Sequence, residues 1–119
     1  MSDFRRLEVW QAARSLTREV YLGTSEFPDA EKFGLALQLR KAANSIGANI
    51  AEGMGRSSDR DALRFLSIST GSANEVEQHL VVANDVGLMA RKRSEELIAQ
   101  VQRVRRMLAG LRVTISRRV

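Results

Sequence analysis

The stretch LIAQVQRVRRMLAGLRVTI, residues 97–115, contains the clearest structural signal in this sequence. Its apolar residues recur at alternating spacings of four and three: Leu97, Val101, Val104, Leu108, Leu111 and Ile115. This spacing places them on one stripe of an α-helix, because three to four residues complete a turn. The stretch therefore predicts a helix that begins between Arg91 and Ser94 and buries one face.

The chain before this stretch shows similar periodicity three times, and glycine or proline separates the periodic segments. We predict helices over about residues 5–22, 27–52 and 58–86. Ser58 followed by Asp61 is typical of a helix start, and Gly87 is typical of the position after a helix end. Short connections favour antiparallel neighbours, so the pattern predicts an all-α, antiparallel up-down-up-down four-helix bundle. The residues that we expect to be largely buried are Trp10, Ile46, Leu66, Val104 and Leu108.

The composition limits both the number of domains and the available chemistry. A length of 119 residues suits a single domain, here residues 1–119. The absence of cysteine excludes disulfides, zinc–thiolate sites and a thiol nucleophile. No run approaches the roughly 20 apolar residues of a membrane-spanning helix, and residues 1–7 lack the apolar region of a secretory signal. We therefore expect a cytoplasmic protein with no membrane contact.

The positive charge is concentrated in the C-terminal part of the chain. Residues 91–119 hold nine of the 19 basic and two of the 14 acidic side chains, a net charge of +7, whereas residues 1–90 carry −2. Arginine outnumbers lysine by 16 to 3, and the guanidinium fork suits phosphate and carboxylate. One interpretation is a solvated face with no partner. The other is a nucleic-acid-binding surface formed by Arg103, Arg105, Arg106, Arg112, Arg117 and Arg118.

No group of residues specifies a chemical reaction, so we predict no catalytic residue, no cofactor and no metal site. His79 is the only histidine and cannot form a histidine-based metal site alone. Trp10 and Tyr21 are interpreted as core or interface anchors. Aromatic residues make up only 5% of the chain and do not alternate with the arginines, which argues against base stacking on single strands.

Other features predict contacts between helices or between copies. Arg40, Asn49 and Glu52 are predicted to form an interhelical or intersubunit polar network. Gly47 costs a helix interior about 1 kcal/mol, so we expect either close packing or an interruption there. The third helix has a second apolar row, which contains Phe65, Ile68, Val82 and Val86. One bundle interior needs one stripe per helix, so this surplus, together with the small-residue face on the second half of the second helix, predicts an oligomer.

Several motifs together resemble a known family. The chain contains Phe4-x-x-Leu7-x-Val9-Trp10, Phe27-Pro28-x-x-Glu31-x-Phe33-Gly34-Leu35, Gln38-Leu39-Arg40-x-Ala42-Ala43-x-Ser45-Ile46-x-Ala48-Asn49-Ile50-Ala51-Glu52-Gly53, Phe65-Leu66 and Gly71-Ser72-x-x-Glu75. It resembles the bacterial four-helix-bundle proteins encoded in 23S ribosomal RNA intervening sequences and, more distantly, the accessory protein of diversity-generating retroelements. The resemblance covers nearly the whole chain, although Gly47 stands where the family often has proline. It implies a homopentameric ring and no known catalysis.

Two functions are compatible with these features. The first is a non-enzymatic oligomeric protein that associates weakly with RNA or DNA, without strong sequence preference, through the arginines of the last helix. The basic surface attributed to the retroelement proteins makes this an inference by distant analogy. The second is a protein-interaction scaffold with no nucleic-acid role. Both predict a homo-oligomer, and they differ in the partner that the oligomer binds.

Overall fold

The computed structural model describes residues 3–119, which form four α-helices and two single-turn 3₁₀ helices and contain no strand. The α-helices are α1 (Glu8–Thr24), α2 (Leu35–Met54), α3 (Asp59–Asp85) and α4 (Arg91–Ser116). The 3₁₀ helices are Phe4–Arg6 and Asp29–Glu31. The all-α prediction is confirmed, and each of the four predicted helices is present.

Two helix starts differ from the predicted ones. We expected the second helix to begin at Phe27-Pro28-Asp29, but Pro28 precedes a 3₁₀ turn and α2 begins only at Leu35. Gly34 separates the 3₁₀ turn from α2, because its φ of −102° and ψ of −119° lie outside the helical region. Glu31 Oε1 then accepts a hydrogen bond from the backbone N–H of Leu35 at 3.3 Å, which satisfies one free donor of the new helix. The first helix also starts later, at Glu8.

The predicted start and end of α3 are confirmed by their hydrogen bonds. Ser58 Oγ accepts from the backbone N–H of Asp61 at 3.1 Å. After the helix, Gly87 adopts a φ of 79°, and the N–H of Leu88 donates to the carbonyl of Ala83 at 2.9 Å. This is the pattern of a left-handed helix end, which glycine adopts without steric cost.

The four helices pack around one cluster of buried apolar side chains. Contacts join α1 to α2, α2 to α3, α3 to α4 and α4 to α1. The bundle measures 46 × 22 × 20 Å along its principal axes. Of the predicted core, Ile46, Leu66, Val104 and Leu108 are buried. Trp10 is only partly buried and lies at the edge of the core, so its predicted burial is wrong in degree.

Small residues allow α2 to lie close to both neighbouring helices. A Cβ atom at Gly47 would lie 3.5 Å from Trp10 Nε1 of α1, and one at Gly53 would lie 3.2 Å from the carbonyl oxygen of Ala62 of α3. Ser69 Oγ of α3 donates to the carbonyl of Ile46 at 2.6 Å. Helix α2 therefore continues through Gly47 without an interruption. Of the two predicted alternatives, the structure has the close packing, against Trp10 of α1.

No helix within residues 3–119 combines the length and the apolar character that crossing a bilayer would require.

Candidate nucleic-acid interface

Two of the six predicted arginines lie on the outer face of α4, and a third, Arg117, follows its last residue. Arg103, Arg106 and Arg117 are exposed. At 100° per residue they project away from the buried stripe that contains Val104 and Leu108. Within residues 3–119, none of the three makes an ion pair or a side-chain hydrogen bond. Their guanidinium groups are therefore available to a partner. We call these three residues the α4 outer face.

The other three predicted arginines contact groups of the same chain. Arg105 Nη1 donates to Glu77 Oε1 at 2.7 Å and to Asn74 Oδ1 at 3.1 Å. Arg112 Nη1 lies 3.4 Å from Thr70 Oγ1, so both arginines are on the flank of α4 that faces α3. Arg118 Nε lies 3.7 Å from Asp59 Oδ2. The carboxylates offset the charge of Arg105 and Arg118, which leaves the α4 outer face and Arg112 without a paired carboxylate within residues 3–119.

Within one chain Arg40, Asn49 and Glu52 do not join in one network, because each side chain has a different partner, and an intersubunit network stays a prediction. Arg40 Nε donates to Thr24 Oγ1 at 2.8 Å, and its guanidinium lies 4.7 Å from the ring centroid of Tyr21, so it holds α2 against the end of α1. Asn49 Nδ2 donates to the Ser45 carbonyl, one turn earlier. Glu52 forms only an exposed ion pair with Arg56, at 3.7 Å.

His79 lies beside a carboxylate on α3 but forms no hydrogen bond through Nε2. Its Nε2 atom is buried, and the closest acidic atom is Glu75 Oε2 at 3.5 Å. In the part of the chain that the structure describes, no three His, Cys, Asp or Glu side chains are grouped as metal ligands. This geometry fits a structural role for His79 in the helix interface.

A groove of about 460 Å³ between α1 and α2 brings aromatic and basic side chains together. Trp10 lies in it with the Phe4 ring edge-on at 5.1 Å, and the Arg14 guanidinium lies 5.7 Å from the Trp10 ring centroid. Arg18 also lines the groove. The sequence interpretation missed this site because it considered only whether aromatic residues and arginines alternate along the chain. The available signal was the helical spacing of Trp10, Arg14 and Arg18, which places them on one face of α1.

The surplus apolar row predicted for α3 is only partly exposed. Ile68 and Val86 are exposed, whereas Phe65 and Val82 are partly buried. Val81 adds another exposed apolar side chain on the same helix, and Phe33, before α2, is 81% exposed. Apolar side chains therefore remain uncovered on the isolated chain.

Comparison with known proteins identifies the fold and the family. The structure is similar to a Bacteroides thetaiotaomicron crystal structure described as a protein with unknown function from the S23 ribosomal protein family, with a TM-score of 0.78. The two chains are 22% identical, and the match covers 87% of this chain and 96% of the other. At that identity the likeness shows the fold alone. None of the curated proteins compared matches this chain significantly. The model of the family described as 23S rRNA-intervening sequence protein matches residues 5–110, so the chain belongs to that family.

Proposed function

We propose that this protein is a non-enzymatic, oligomeric binding protein that associates weakly with RNA or DNA through the arginines of α4. The observation that carries the proposal is the α4 outer face, where Arg103, Arg106 and Arg117 are exposed and unpaired within residues 3–119. Arg105 and Arg112, on the flank of α4 that faces α3, and Arg118 complete the set. The description of the family, which refers to intervening sequences of 23S rRNA, is in keeping with a nucleic-acid partner.

The proposal includes the topology and the assembly. Gly53 lies against Ala62, and the Ser45 and Ser72 hydroxyls are 2.8 Å apart, which supports an antiparallel α2–α3 pair within an up-down-up-down bundle. The exposed apolar residues Ile68 and Val86 of α3 support burial against a second copy. We expect a cytoplasmic homopentameric ring of a single-domain chain, as the family resemblance implies. A ring places every copy of Arg106 at the same height around its axis, which multiplies the local field.

Phosphate contacts account for the expected weakness and lack of sequence preference. A guanidinium that neutralises a phosphate releases condensed counterions, so the affinity falls as the salt concentration rises, with a log–log slope of about −0.7 to −0.9 per contact. Such contacts position a protein on the backbone without reading the bases. We therefore expect similar affinities for oligonucleotides of different sequence.

A matched pair of charge reversals tests the proposal. Arg106→Glu changes the outer face of α4, and Lys41→Glu makes the same change in charge on an exposed position of α2, which does not pack against α4. Fluorescence anisotropy with single- and double-stranded oligonucleotides at about 50 mM salt measures the affinity, because exposed charges are weakly screened there. We expect Arg106→Glu to weaken binding to all sequences similarly and Lys41→Glu to have a smaller effect.

Two results would contradict the proposal. Wild-type protein that binds no oligonucleotide at about 50 mM salt would remove nucleic acid as the partner. Equal weakening by Arg106→Glu and Lys41→Glu would show that only the net charge matters and that the α4 outer face is not the contact surface.

The second candidate function is a protein-interaction scaffold with no nucleic-acid role. The exposure of Phe33 and Val86 favours it, because uncovered apolar side chains are common at protein interfaces. With this function, Arg105→Glu/Arg112→Glu disrupts capture of an acidic protein and nucleic acid is irrelevant. Co-purification with the native protein, repeated after nuclease treatment, separates the two functions.

A further inference from the structure

The groove between α1 and α2 has one aromatic wall and one wall of small residues. Trp10 and Phe4 form the aromatic wall, and Gly47, Ala48 and Ala51 line the α2 side. The indole of Trp10 is partly exposed. The opposing side chains are small, so they leave much of the groove volume unfilled. A volume of about 460 Å³ falls within the usual range for small-ligand sites.

The polar groups of the groove are donors and cations. Arg14 and Arg18 are exposed and make no ion pair within residues 3–119, and the exposed Asn44 amide makes no hydrogen bond to those residues. No described carboxylate lines the groove. Asn44 offers both an N–H donor and a carbonyl acceptor, which is what the edge of a nucleobase requires.

The charge of the groove favours an anionic aromatic occupant over an apolar one. Burial of Arg14 and Arg18 beneath an uncharged surface would leave two guanidinium groups unpaired, which is costly. Phosphates on either side of an unstacked base would pair with them. Bases of single strands stack on aromatic rings. The Arg14 guanidinium lies over the Trp10 ring, 5.7 Å from its centroid, so a cation is close to any base that contacts the indole.

We propose that this groove binds an unpaired nucleobase of a single-stranded nucleic acid, with Trp10 as the stacking platform, Asn44 at the base edge and Arg14 and Arg18 on the flanking phosphates. The proposal rests on the proposed nucleic-acid function and deepens it by adding a preference for single strands. The groove lies on α1 and α2, whereas the exposed apolar residues Ile68 and Val86 lie on α3.

The experiment compares a ten-nucleotide single strand of deoxyadenosine with an abasic strand that carries the same number of phosphates. Anisotropy measures both affinities on the full chain. Trp10 is the only tryptophan, so its emission reports directly on the groove. We expect the base-containing strand to bind about five- to 150-fold more tightly, the range that corresponds to stacking of one base, and to quench Trp10 emission. The abasic strand should leave the emission unchanged.

Two variants with equal charge changes locate the site. Ala48→Glu places a carboxylate at an exposed position in the groove, and Ser67→Glu places one at an exposed position on α3. Both positions are exposed, so both variants should fold, which circular dichroism checks. We expect Ala48→Glu to abolish the difference between the two strands and Ser67→Glu to preserve it.

Each alternative outcome overturns the proposal in a distinguishable way. Equal affinities of wild-type protein for both strands, with no quenching, would remove the groove as a base site and leave phosphate binding by α4 intact. Binding of neither strand would remove the proposed function as well. If Ala48→Glu reduces the oligomer mass in native mass spectrometry and Ser67→Glu does not, the groove is a subunit contact.

Discussion

The α4 outer face and the α1–α2 groove present the same cationic group in different settings. Arg103 and Arg106 of α4, and Arg117 after it, are exposed on one side, and within residues 3–119 no aromatic ring lies against their guanidinium groups. In the groove, Arg14 and Arg18 line the same cavity as a partly exposed indole. A row of exposed guanidinium groups can follow a phosphate backbone of any sequence, whereas a groove with an aromatic wall requires an accessible base. Net charge alone therefore does not describe how a surface recognises nucleic acid.

The largest change in the free energy of unfolding that we expect comes from substitutions in α4. Leu108 is fully buried, and Val113 on the same helix is 49% exposed. Leu108→Ala leaves a cavity and should lower the free energy of unfolding by about 2–5 kcal/mol. Val113→Ala should change it by less than about 0.5 kcal/mol. Urea denaturation measures both, and equal values would mean that the buried and outer sides of α4 are assigned incorrectly.

The next effect concerns the small residues on either side of α2. A Cβ at Gly47 would meet Trp10 Nε1 at an ordinary 3.5 Å, so Gly47→Ala should raise the free energy of unfolding by about 0.5–1 kcal/mol through helix propensity. At Gly53 the added atom would lie 3.2 Å from a backbone oxygen of Ala62, which cannot rotate away. Gly53→Ala should therefore raise the free energy of unfolding by less than Gly47→Ala does, or lower it.

Thermal unfolding of these two glycine variants provides the measurement. A loss of stability in Gly47→Ala as large as that in Gly53→Ala would show that the added methyl group clashes with Trp10 instead of making an ordinary contact.

A smaller effect distinguishes paired from unpaired arginines. Arg105 and Glu77 are 31% and 28% exposed in their side chains and form a 2.7 Å ion pair. A double-mutant cycle with Arg105→Gln and Glu77→Gln should give a coupling of about 0.2–1 kcal/mol in unfolding free energy. The corresponding cycle with Arg103→Gln and Glu77→Gln should give no coupling. Coupling of similar size for both arginines would remove the distinction between the flank and the outer face.

The smallest effect is a pH dependence at an exposed ion pair. Hydrogen bonds from Arg56, and then from Arg64, hold the pKa of Asp61 below its ordinary value of 3.8. A lowered folded-state pKa stabilises the fold above the unfolded-state pKa, and this contribution is lost as the pH falls through the folded-state pKa. The difference in melting temperature between wild type and Asp61→Asn should therefore shrink below about pH 4. A constant difference down to about pH 2 would contradict the assigned cause.

The helices could be predicted from sequence because their signals are local. The stripe from Leu97 to Ile115, the Ser58 cap and Gly87 each depend on neighbours within a few residues, and each appears as expected. The start of α2 could not be predicted, because Pro28 is equally suited to a 3₁₀ turn and to the first turn of an α-helix.

The candidate sites were less predictable because they depend on contacts between helices. The positions of Arg103 and Arg105 on α4 follow from helical spacing, but the pairing of Arg105 with Glu77 of α3 does not. The groove depends on how closely α1 approaches α2, which Gly47 permits but does not specify. The sequence also suggested a joint role for Arg40 and Asn49, whose partners are in different places.

The salt dependence of binding decides whether the α4 outer face binds phosphates. The affinity of wild-type protein and of Arg103→Glu/Arg106→Glu for one oligonucleotide should be measured by anisotropy from about 50 to 200 mM salt. We expect weaker binding by the variant and a log–log slope that is shallower by about 0.7–0.9 for each phosphate that the variant no longer neutralises. An unchanged affinity and an identical slope would show that the α4 outer face does not bind phosphates.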